Sequence, residues 1–194
     1  MRRAPLLLLL PLLCLAACGE CNTGKTSWSE LDAASLTAAQ QKQRAKALGA
    51  RDALGTQLSK RLMEALGNGG AGAAIEVCRD AAPSLAEEVS KAHGVTIGRT
   101  SHKLRSPSNA APAWAASYVA SEAADGVLLA AKDGRMAALF PISLQQACLA
   151  CHGEPSKFAA PVKDALAAHY PEDEATGFSR GDVRGWFWVE VPSE

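Results

Sequence analysis

The chain has 194 residues, of which 48% are hydrophobic and 21% charged, and its acidic and basic residues balance to a formal net charge of 0. This length is sufficient for one domain with its own hydrophobic core. The balanced charge excludes the strongly basic composition that is typical of nucleic-acid-binding proteins. We therefore expect a single folded domain that has no nucleic-acid partner.

The N-terminal residues 1–17 have the layout of an export signal. Arg2 and Arg3 precede an apolar, leucine-rich run that ends in small residues, and this run is shorter than the about 20 residues that a spanning helix needs. The segment LAAC at 15–18 resembles a bacterial lipobox, which predicts cleavage before Cys18 and a lipid on that cysteine. An ordinary signal peptide that is cut nearby is the alternative. The lipid would hold the protein on a membrane of the cell envelope, facing the periplasm.

Residues 18–35 are small and polar and predict a tether, so we expect the domain to occupy residues 36–194. The TAAQ segment at 37–40 predicts a capping box and the start of a long helix that GNGG, at 67–70, should stop. A second helix should run from near residue 73 to Gly94. Its apolar spacing places Cys78 on the stripe that faces the core. Pro83 is expected to kink or split this helix.

The second half of the chain contains the strand patterns. VTIGRTS at 95–101 predicts a short strand, and a helix through Trp114 and Tyr118 should follow. Two apolar runs around Asp133-Gly134 predict a hairpin over 126–142. A helix over 156–170, restarted at Pro161, leads to the final strands at 177–191. This order predicts an α+β domain with an antiparallel sheet.

The segment CLACHG at 148–153 carries the clearest chemical signal. Cys148 and Cys151 are separated by two residues and His152 follows directly, the pattern in which two thiols bind the vinyl groups of a c-type haem and the histidine binds its iron. A thioredoxin-like redox pair would need a βαβ unit, which the pattern does not predict. A structural zinc site could use the same three residues with Cys78, but a second paired motif is missing. We therefore predict one covalently attached haem c.

The second axial ligand of this haem stays open on spacing alone. Residues of suitable chemistry are Cys78, His93, His102, His169, Met63 and Met136. A methionine would give a high-potential centre and a second histidine a lower one. Cys78 can equally be a small buried hydrophobe. The basic residues Arg99, Lys103 and Arg105 could bind haem propionates or belong to a solvated loop.

Several segments together resemble a known family, the Tll-like single-haem c-type domains that were formerly a domain of unknown function. They are AIEVC at 74–78, GRTSHKLRSPSN at 98–109 with Trp114, CLACHG at 148–153 and YPEDEATGFSRGDVRG at 170–185. The resemblance implies a PAS-like antiparallel sheet flanked by helices. It also implies a low-spin haem iron bound by His152 and Cys78. The chain departs from the family pattern at Ser106 and Ala115, which changes the detail of that loop.

Two functions fit these expectations. A haem-based redox or gas sensor would have a small gas as its ligand, and an electron-transfer cytochrome would have a redox protein as its partner. A peroxidase-like enzyme would need an open iron position and a distal acid–base pair, and the sequence shows neither, so we predict no enzymatic activity. Cys21 has no role that the sequence assigns.

Overall fold

A computed structural model describes residues 26–193 of the chain. The predicted export signal at 1–17, the predicted lipid site Cys18, and Cys21 lie outside the described residues. None of the helices between residues 26 and 193 combines the length and apolar character needed to cross a membrane.

The described residues form a mixed α+β structure. The strands are β1 (Trp28–Glu30), β2 (Thr96–Thr100), β3 (Val127–Ala131), β4 (Met136–Ser143) and β5 (Val183–Val191). The α-helices are α1 (Ala38–His93), α2 (Ala116–Ala120), α3 (Leu149–His152) and α4 (Ala160–His169). Single 3₁₀ turns at Pro107–Asn109, Gln146–Cys148 and Pro155–Lys157 connect some of these elements.

Helix α1 begins at the predicted capping box. The Thr37 side chain accepts from the Gln40 backbone N–H, and the Gln40 side chain accepts from the Thr37 backbone N–H. The predicted break falls at Gly70, whose φ of 74° and ψ of −166° no helix tolerates, and glycine reaches this region without steric cost. Gly94 closes the helix in the left-handed conformation, as predicted.

The expected split at Pro83 is wrong. Pro83 lies inside α1, and the only non-helical backbone within this helix is at Gly70. Pro83 is exposed, so water can solvate the carbonyl that loses its hydrogen bond to the proline. Ala82 and Leu85 are both buried, and this packing keeps the helix continuous on either side of the proline.

The sheet has the order β1-β3-β4-β5-β2, and every pair of neighbouring strands is antiparallel. This confirms the predicted fold class and the predicted hairpin of β3 and β4. The tether predicted over 18–35 needs a correction, because residues 28–30 pair with β3. This strand is too short to show an alternating pattern in sequence. Trp28 holds it in place by packing on Trp114, with ring centroids 6.0 Å apart.

The core lies mainly between α1 and one face of the sheet. Leu54 and Val89 from α1 pack against Ile97, Phe140 and Val189 from the strands. The opposite face carries a smaller cluster around Trp186, Leu139 and Val119. Helix α2 begins only at Ala116, so Trp114, which we expected inside a helix, precedes it.

A third cluster fixes the region that contains the cysteine motif. Ile75 from α1 packs with Phe158, Val162, Leu166 and Tyr170 from α4 and its flanks. Cys151 lies against this cluster. Hydrophobic burial therefore brings α3 and α4 to the part of α1 that follows Gly70.

Candidate functional site

Cys148, Cys151 and His152 lie on one short helical segment. Cys148 ends a 3₁₀ turn, and Cys151 and His152 follow in α3. A separation of three residues on helical backbone places both thiols on one side of the segment. Both cysteines are half-buried and neither forms a disulfide. The segment can therefore present two thiols and one imidazole to the same neighbourhood.

The two alternative chemistries of this motif find no support in the structure. The motif follows the antiparallel hairpin of β3 and β4, and every pairing in the sheet is antiparallel, whereas a thioredoxin-like pair requires a βαβ unit. Between residues 26 and 193, no three His, Cys, Asp or Glu side chains converge in a way that could hold a metal ion.

His152 is held through its Nδ1 atom. This atom lies 2.8 Å from the Ala175 carbonyl oxygen and 3.1 Å from Nε of Arg184. Only one contact can be a hydrogen bond at a time, because a protonated Nδ1 donates to the carbonyl and an unprotonated one accepts from Arg184. Burial, together with the charges of Arg105 and Arg184, lowers the pKa of His152 to about 3. The imidazole is therefore neutral at pH 7.

The position of His152 depends on the loop of residues 173–178, which runs beside the motif. The Phe178 N–H donates to the His152 carbonyl oxygen at 3.0 Å, and the Gly177 N–H donates to the Gly153 carbonyl oxygen at 2.8 Å. The Phe178 ring also meets the His152 ring edge-on, with centroids 6.4 Å apart. The loop therefore contacts His152 in two ways, through backbone hydrogen bonds and through the Phe178 ring.

Arg105, which we predicted as a possible propionate contact, is only 9% exposed and has protein partners. It forms an ion pair with Asp173, with Nη2 and Oδ2 3.1 Å apart. Its Nη2 also donates to the carbonyl oxygens of Cys151 and Ala175. Arg105 thus connects the cysteine motif to the 173–178 loop.

Arg99 and Arg184 also point to this neighbourhood. Burial lowers the pKa of both guanidinium groups, to about 10 for Arg184, where repulsion from Arg105 is the next cause. Arg184 donates to Ser101 Oγ at 2.7 Å and to the Lys103 carbonyl oxygen at 3.1 Å. In the described part of the chain, the Arg99 guanidinium forms no hydrogen bond or ion pair.

Together with Lys103, these residues form what we name the basic cluster. It consists of Arg99, Lys103, Arg105 and Arg184. The Lys103 ammonium lies 5.0 Å from the centre of the Phe178 ring. Within residues 26–193, Asp173 is the one carboxylate that forms an ion pair with the cluster. Four cations against one carboxylate leave an excess of three positive charges.

Cys78 lies in the same neighbourhood. It is half-buried on α1, one turn after Ile75, whose side chain belongs to the cluster that contacts Cys151. Burial raises the pKa of the Cys151 thiol, and the negative charge that Cys78 can carry raises it further. The same charge opposes the lowering of the Arg99 pKa. These electrostatic effects show that the fold brings Cys78 close to the motif and to the basic cluster.

The other residues considered as axial ligands have different surroundings. Met136 is fully buried in the core, whereas Met63 is 64% exposed. His169 contacts the Arg79 guanidinium and lies 3.6 Å from a Glu76 carboxylate oxygen. His93 is in the last turn of α1.

His102 contacts the same Phe178 ring as His152. Its ring packs edge-on against Phe178 and Trp186, with centroid distances of 5.7 and 5.9 Å. Its Nδ1 is buried and has no hydrogen-bond partner in residues 26–193.

Reasoning from the sequence did not assign roles to Asp173, Phe178 and Arg184. All three lie in YPEDEATGFSRGDVRG, a segment that the sequence marked as characteristic. Its composition gave no role to any one of them, since their partners are distant in sequence. Contacts with His152 and Arg105 appear only once the chain is folded.

The fold and the side chains together define a small α+β protein with two thiols, a neutral imidazole and a third nearby thiol at one site. The chain belongs to the Tll0287-like family, whose model matches residues 29–192. Among solved structures, it is similar to the crystal structure described as that of the cyanobacterial haem protein Tll0287. The TM-score is 0.55, the sequence identity 23%, and the match covers 81% of this chain and 97% of the other. This likeness establishes the shared fold. No curated protein sequence matches the chain.

Proposed function

We propose that the protein binds one c-type haem, held covalently by Cys148 and Cys151, with His152 and Cys78 as the axial ligands of its iron. The observation that carries the proposal is the arrangement of the motif, in which two thiols stand beside a neutral histidine. The relationship to a protein described as a haem protein supports it. When bound, the haem supplies a redox-active iron.

The state of His152 fits a haem ligand. Imidazole binds metals in its neutral form, through a nitrogen that carries no proton. With the proton on Nδ1 and donated to the Ala175 carbonyl oxygen, Nε2 has a free lone pair. The low pKa of His152 keeps protons from competing for this lone pair at neutral pH.

The charges of the site fit as well. A haem brings two propionates, whose negative charges would offset part of the positive excess of the basic cluster. Buried cations without partners are unfavourable. Because Arg99 has no partner among the described residues, it is the best-placed residue to bind a propionate. Lys103 has a weak contact with the Thr176 carbonyl oxygen at 3.5 Å and lies over the Phe178 ring, whereas Arg105 is engaged with Asp173.

The physiological role that we propose is that of a haem-based redox or gas sensor. A Cys78 thiolate donates strongly to iron and favours the ferric state. If Cys78 is a ligand, ferrous iron would hold its thiolate less well than ferric iron does, so reduction would make a position available to a small gas. Cys78 is only half-buried, so a proton can reach its sulfur.

An electron-transfer cytochrome is the second candidate. The hydrogen bonds from Phe178 and Gly177 hold the histidine side of the site firmly, as suits an iron that changes oxidation state without rearrangement. The two roles differ in what the ferrous protein does. A sensor of this type binds carbon monoxide or nitric oxide in the ferrous state, and an electron carrier retains both ligands and binds neither.

The test of the haem itself is the pair of substitutions Cys148→Ala and Cys151→Ala. We expect the double variant to show no haem stain after denaturing electrophoresis, while the wild type retains it. A matched control is Cys78→Ala, which removes a thiol from the same neighbourhood and should leave the covalent stain intact. Persistence of the stain in the double variant would contradict the covalent attachment.

We further propose that the protein is exported and held at a membrane by a lipid on Cys18, within the lipobox-like segment. Cys18→Ser should move the protein from the membrane fraction to the soluble fraction, because acyl chains supply most of the membrane affinity of such proteins. Cys21→Ser is the matched control and should stay with the membrane. A Cys18→Ser protein that withstands detergent-free washing would show that another segment provides the anchor.

A further inference from the structure

A buried ion pair lies directly behind His152. The carboxylate of Asp173 and the guanidinium of Arg105 are 8% and 9% exposed, and their nearest atoms are 3.1 Å apart. Arg105 comes from the segment after β2, and Asp173 begins the 173–178 loop. The pair therefore joins two segments that are 68 residues apart.

Both backbone polar groups of Ala175, its N–H and its carbonyl, are bound to this pair. The Ala175 N–H donates to Asp173 Oδ1 at 2.8 Å. The Ala175 carbonyl oxygen accepts from Arg105 Nη2 at 3.3 Å. The same carbonyl oxygen lies 2.8 Å from His152 Nδ1. The direction of this carbonyl is therefore fixed by the ion pair.

Arg105 holds the histidine from a second side. Its Nη2 donates to the carbonyl oxygen of Cys151, the residue that precedes His152. The backbone that carries the imidazole and the carbonyl that receives its proton are thus bound to one guanidinium. Planar, multiply donating geometry of this kind is a property of arginine that lysine does not share.

Arg184 offers His152 the opposite arrangement. Its Nε lies 3.1 Å from Nδ1, and donation along this contact requires the imidazole proton to be on Nε2. That tautomer has no lone pair on Nε2 for a metal. Two neighbours therefore favour different tautomers, and the orientation of the Ala175 carbonyl decides between them.

We propose that Arg105 and Asp173 are positioning residues for His152, which hold the Ala175 carbonyl so that the proton stays on Nδ1 and Nε2 stays free for iron. The part of this proposal that concerns iron rests on the proposed haem function. The choice of tautomer is a property of the chain itself. A purely stabilising role explains the pair less well, because a buried ion pair contributes little to net stability once its desolvation is counted.

The test compares Arg105→Gln and Asp173→Asn with the wild type. Arg135→Gln serves as the matched control, because it breaks an ion pair of Arg135 with Glu190 at 3.5 Å that belongs to another part of the sheet. Thermal unfolding of each variant shows how much stability is lost. Arg105→Lys tests the geometry, since it keeps the charge without the planar fork.

The first readout is the tautomer of His152, taken from the ¹⁵N shifts of the imidazole in the full chain produced without haem. The chain has 4 histidines, so His152→Ala identifies the signal. We expect Nδ1-protonated imidazole in the wild type and in Arg135→Gln. In Arg105→Gln and Asp173→Asn, the ratio of the Nδ1-protonated to the Nε2-protonated tautomer should fall by about tenfold, which is the effect of losing one well-directed hydrogen bond. Arg105→Lys should restore only part of it.

The second readout is the iron of the haem-loaded protein. Loss of an outer hydrogen bond to a metal-bound histidine lowers metal affinity by about 10- to 100-fold. We expect a smaller low-spin ferric fraction and a higher midpoint potential in both variants, with no change in Arg135→Gln. If only the ferric iron loses affinity for His152, a tenfold loss of that affinity raises the midpoint potential by about 59 mV for a one-electron couple.

The outcomes separate this proposal from the proposed function. A wild type without haem would refute the function, and the tautomer would still decide the role of the pair. Folded variants whose tautomer, spin state and potential all equal those of the wild type would overturn the positioning role. If Arg105→Gln does not fold, Asp173→Asn decides, because it keeps the size of the side chain and removes only the charge. Equal shifts in Arg135→Gln would show general loosening of the fold and would also overturn the proposal.

Discussion

Two regions of the protein differ in how their charged side chains are paired. One is the edge around β1, where Trp28, Glu30, Trp114, Tyr118, Arg135 and Glu190 form what we name the edge network. There the Tyr118 hydroxyl donates to Glu30 and the Trp114 indole N–H to Glu190, both at 2.7 Å. Arg135 forms ion pairs with Asp133 and Glu190. Every charge in this network has an opposite charge or a donor within the protein.

The basic cluster beside the cysteine motif has no such balance. Its four cations share the carboxylate of Asp173, and Arg99 has no hydrogen bond or ion pair in residues 26–193. Unpaired buried charge costs free energy, and an anion from outside the chain would reduce that cost. The comparison shows that the edge network balances its charges within the chain, whereas the basic cluster does not.

The largest effect should come from Cys78→Ser. If Cys78 binds the iron, the variant loses a strong donor and its midpoint potential should rise, with a changed spin state or a substitute ligand. Electron paramagnetic resonance of the ferric protein measures this. Ala74→Ser adds a hydroxyl one turn away on the same helix and should leave the spectrum unchanged. Identical spectra for Cys78→Ser and the wild type would show that the sulfur is not a ligand, and His93, His102 and His169 would then be examined.

A second prediction contrasts Arg99→Leu with Arg135→Leu. In the haem-loaded protein, Arg99→Leu should lower stability by about 1.5–3 kcal/mol, because it removes a charged partner of a propionate. In the Cys148→Ala, Cys151→Ala background it should raise stability, because it removes an unpaired cation that repels Arg184. Denaturant unfolding of the four proteins measures both values.

Arg135→Leu should instead be destabilising in both backgrounds, by about 1 kcal/mol or less, because its partners are present in each. A destabilising Arg99→Leu in the haem-free background as well would contradict the contrast between the two regions.

The smallest effect concerns the edge network at high pH. Burial and the contact with Glu30 raise the pKa of Tyr118 to about 12, from an ordinary value of 10. The stabilisation from this raised pKa is complete below pH 10. It is lost as the pH rises from 10 to 12, because the unfolded chain releases the proton first. Tyr118→Phe should therefore abolish this part of the alkaline loss of stability.

Thermal unfolding at several pH values between 9 and about 12 measures the difference between the two proteins. Tyr170→Phe is a comparison variant: burial also raises the pKa of Tyr170, so this variant should lose a separate part of the alkaline effect and keep the part that depends on Glu30 and Tyr118. A wild type and a Tyr118→Phe variant whose stabilities change in parallel above pH 10 would show that Tyr118 titrates normally.

Short-range patterns in the sequence were sufficient for much of the fold. The capping box at Thr37, the end of α1 at Gly94 and the hairpin at Asp133-Gly134 were predicted correctly. Each depends on a few neighbouring residues whose hydrogen bonds and dihedral angles are local. The motif CLACHG is equally local, and the covalently attached haem that it indicates stays a prediction.

Local rules failed where packing decides. Pro83 does not split α1, because buried neighbours hold the helix together. Residues 28–30 have no strand pattern, yet they pair with β3 because Trp28 packs against Trp114. In both cases the decisive contacts come from residues far along the chain.

The sequence by itself determined which groups are chemically available, namely two thiols and an imidazole in one helical segment, a third thiol on α1 and a set of basic residues. Tertiary structure alone decided how they are used. It made Arg105 the partner of Asp173, left Arg99 without a partner in the described residues, and placed Arg184 at His152. The physical reason is that charge pairing, desolvation and hydrogen-bond direction depend on distances between residues, and only the folded chain sets those distances.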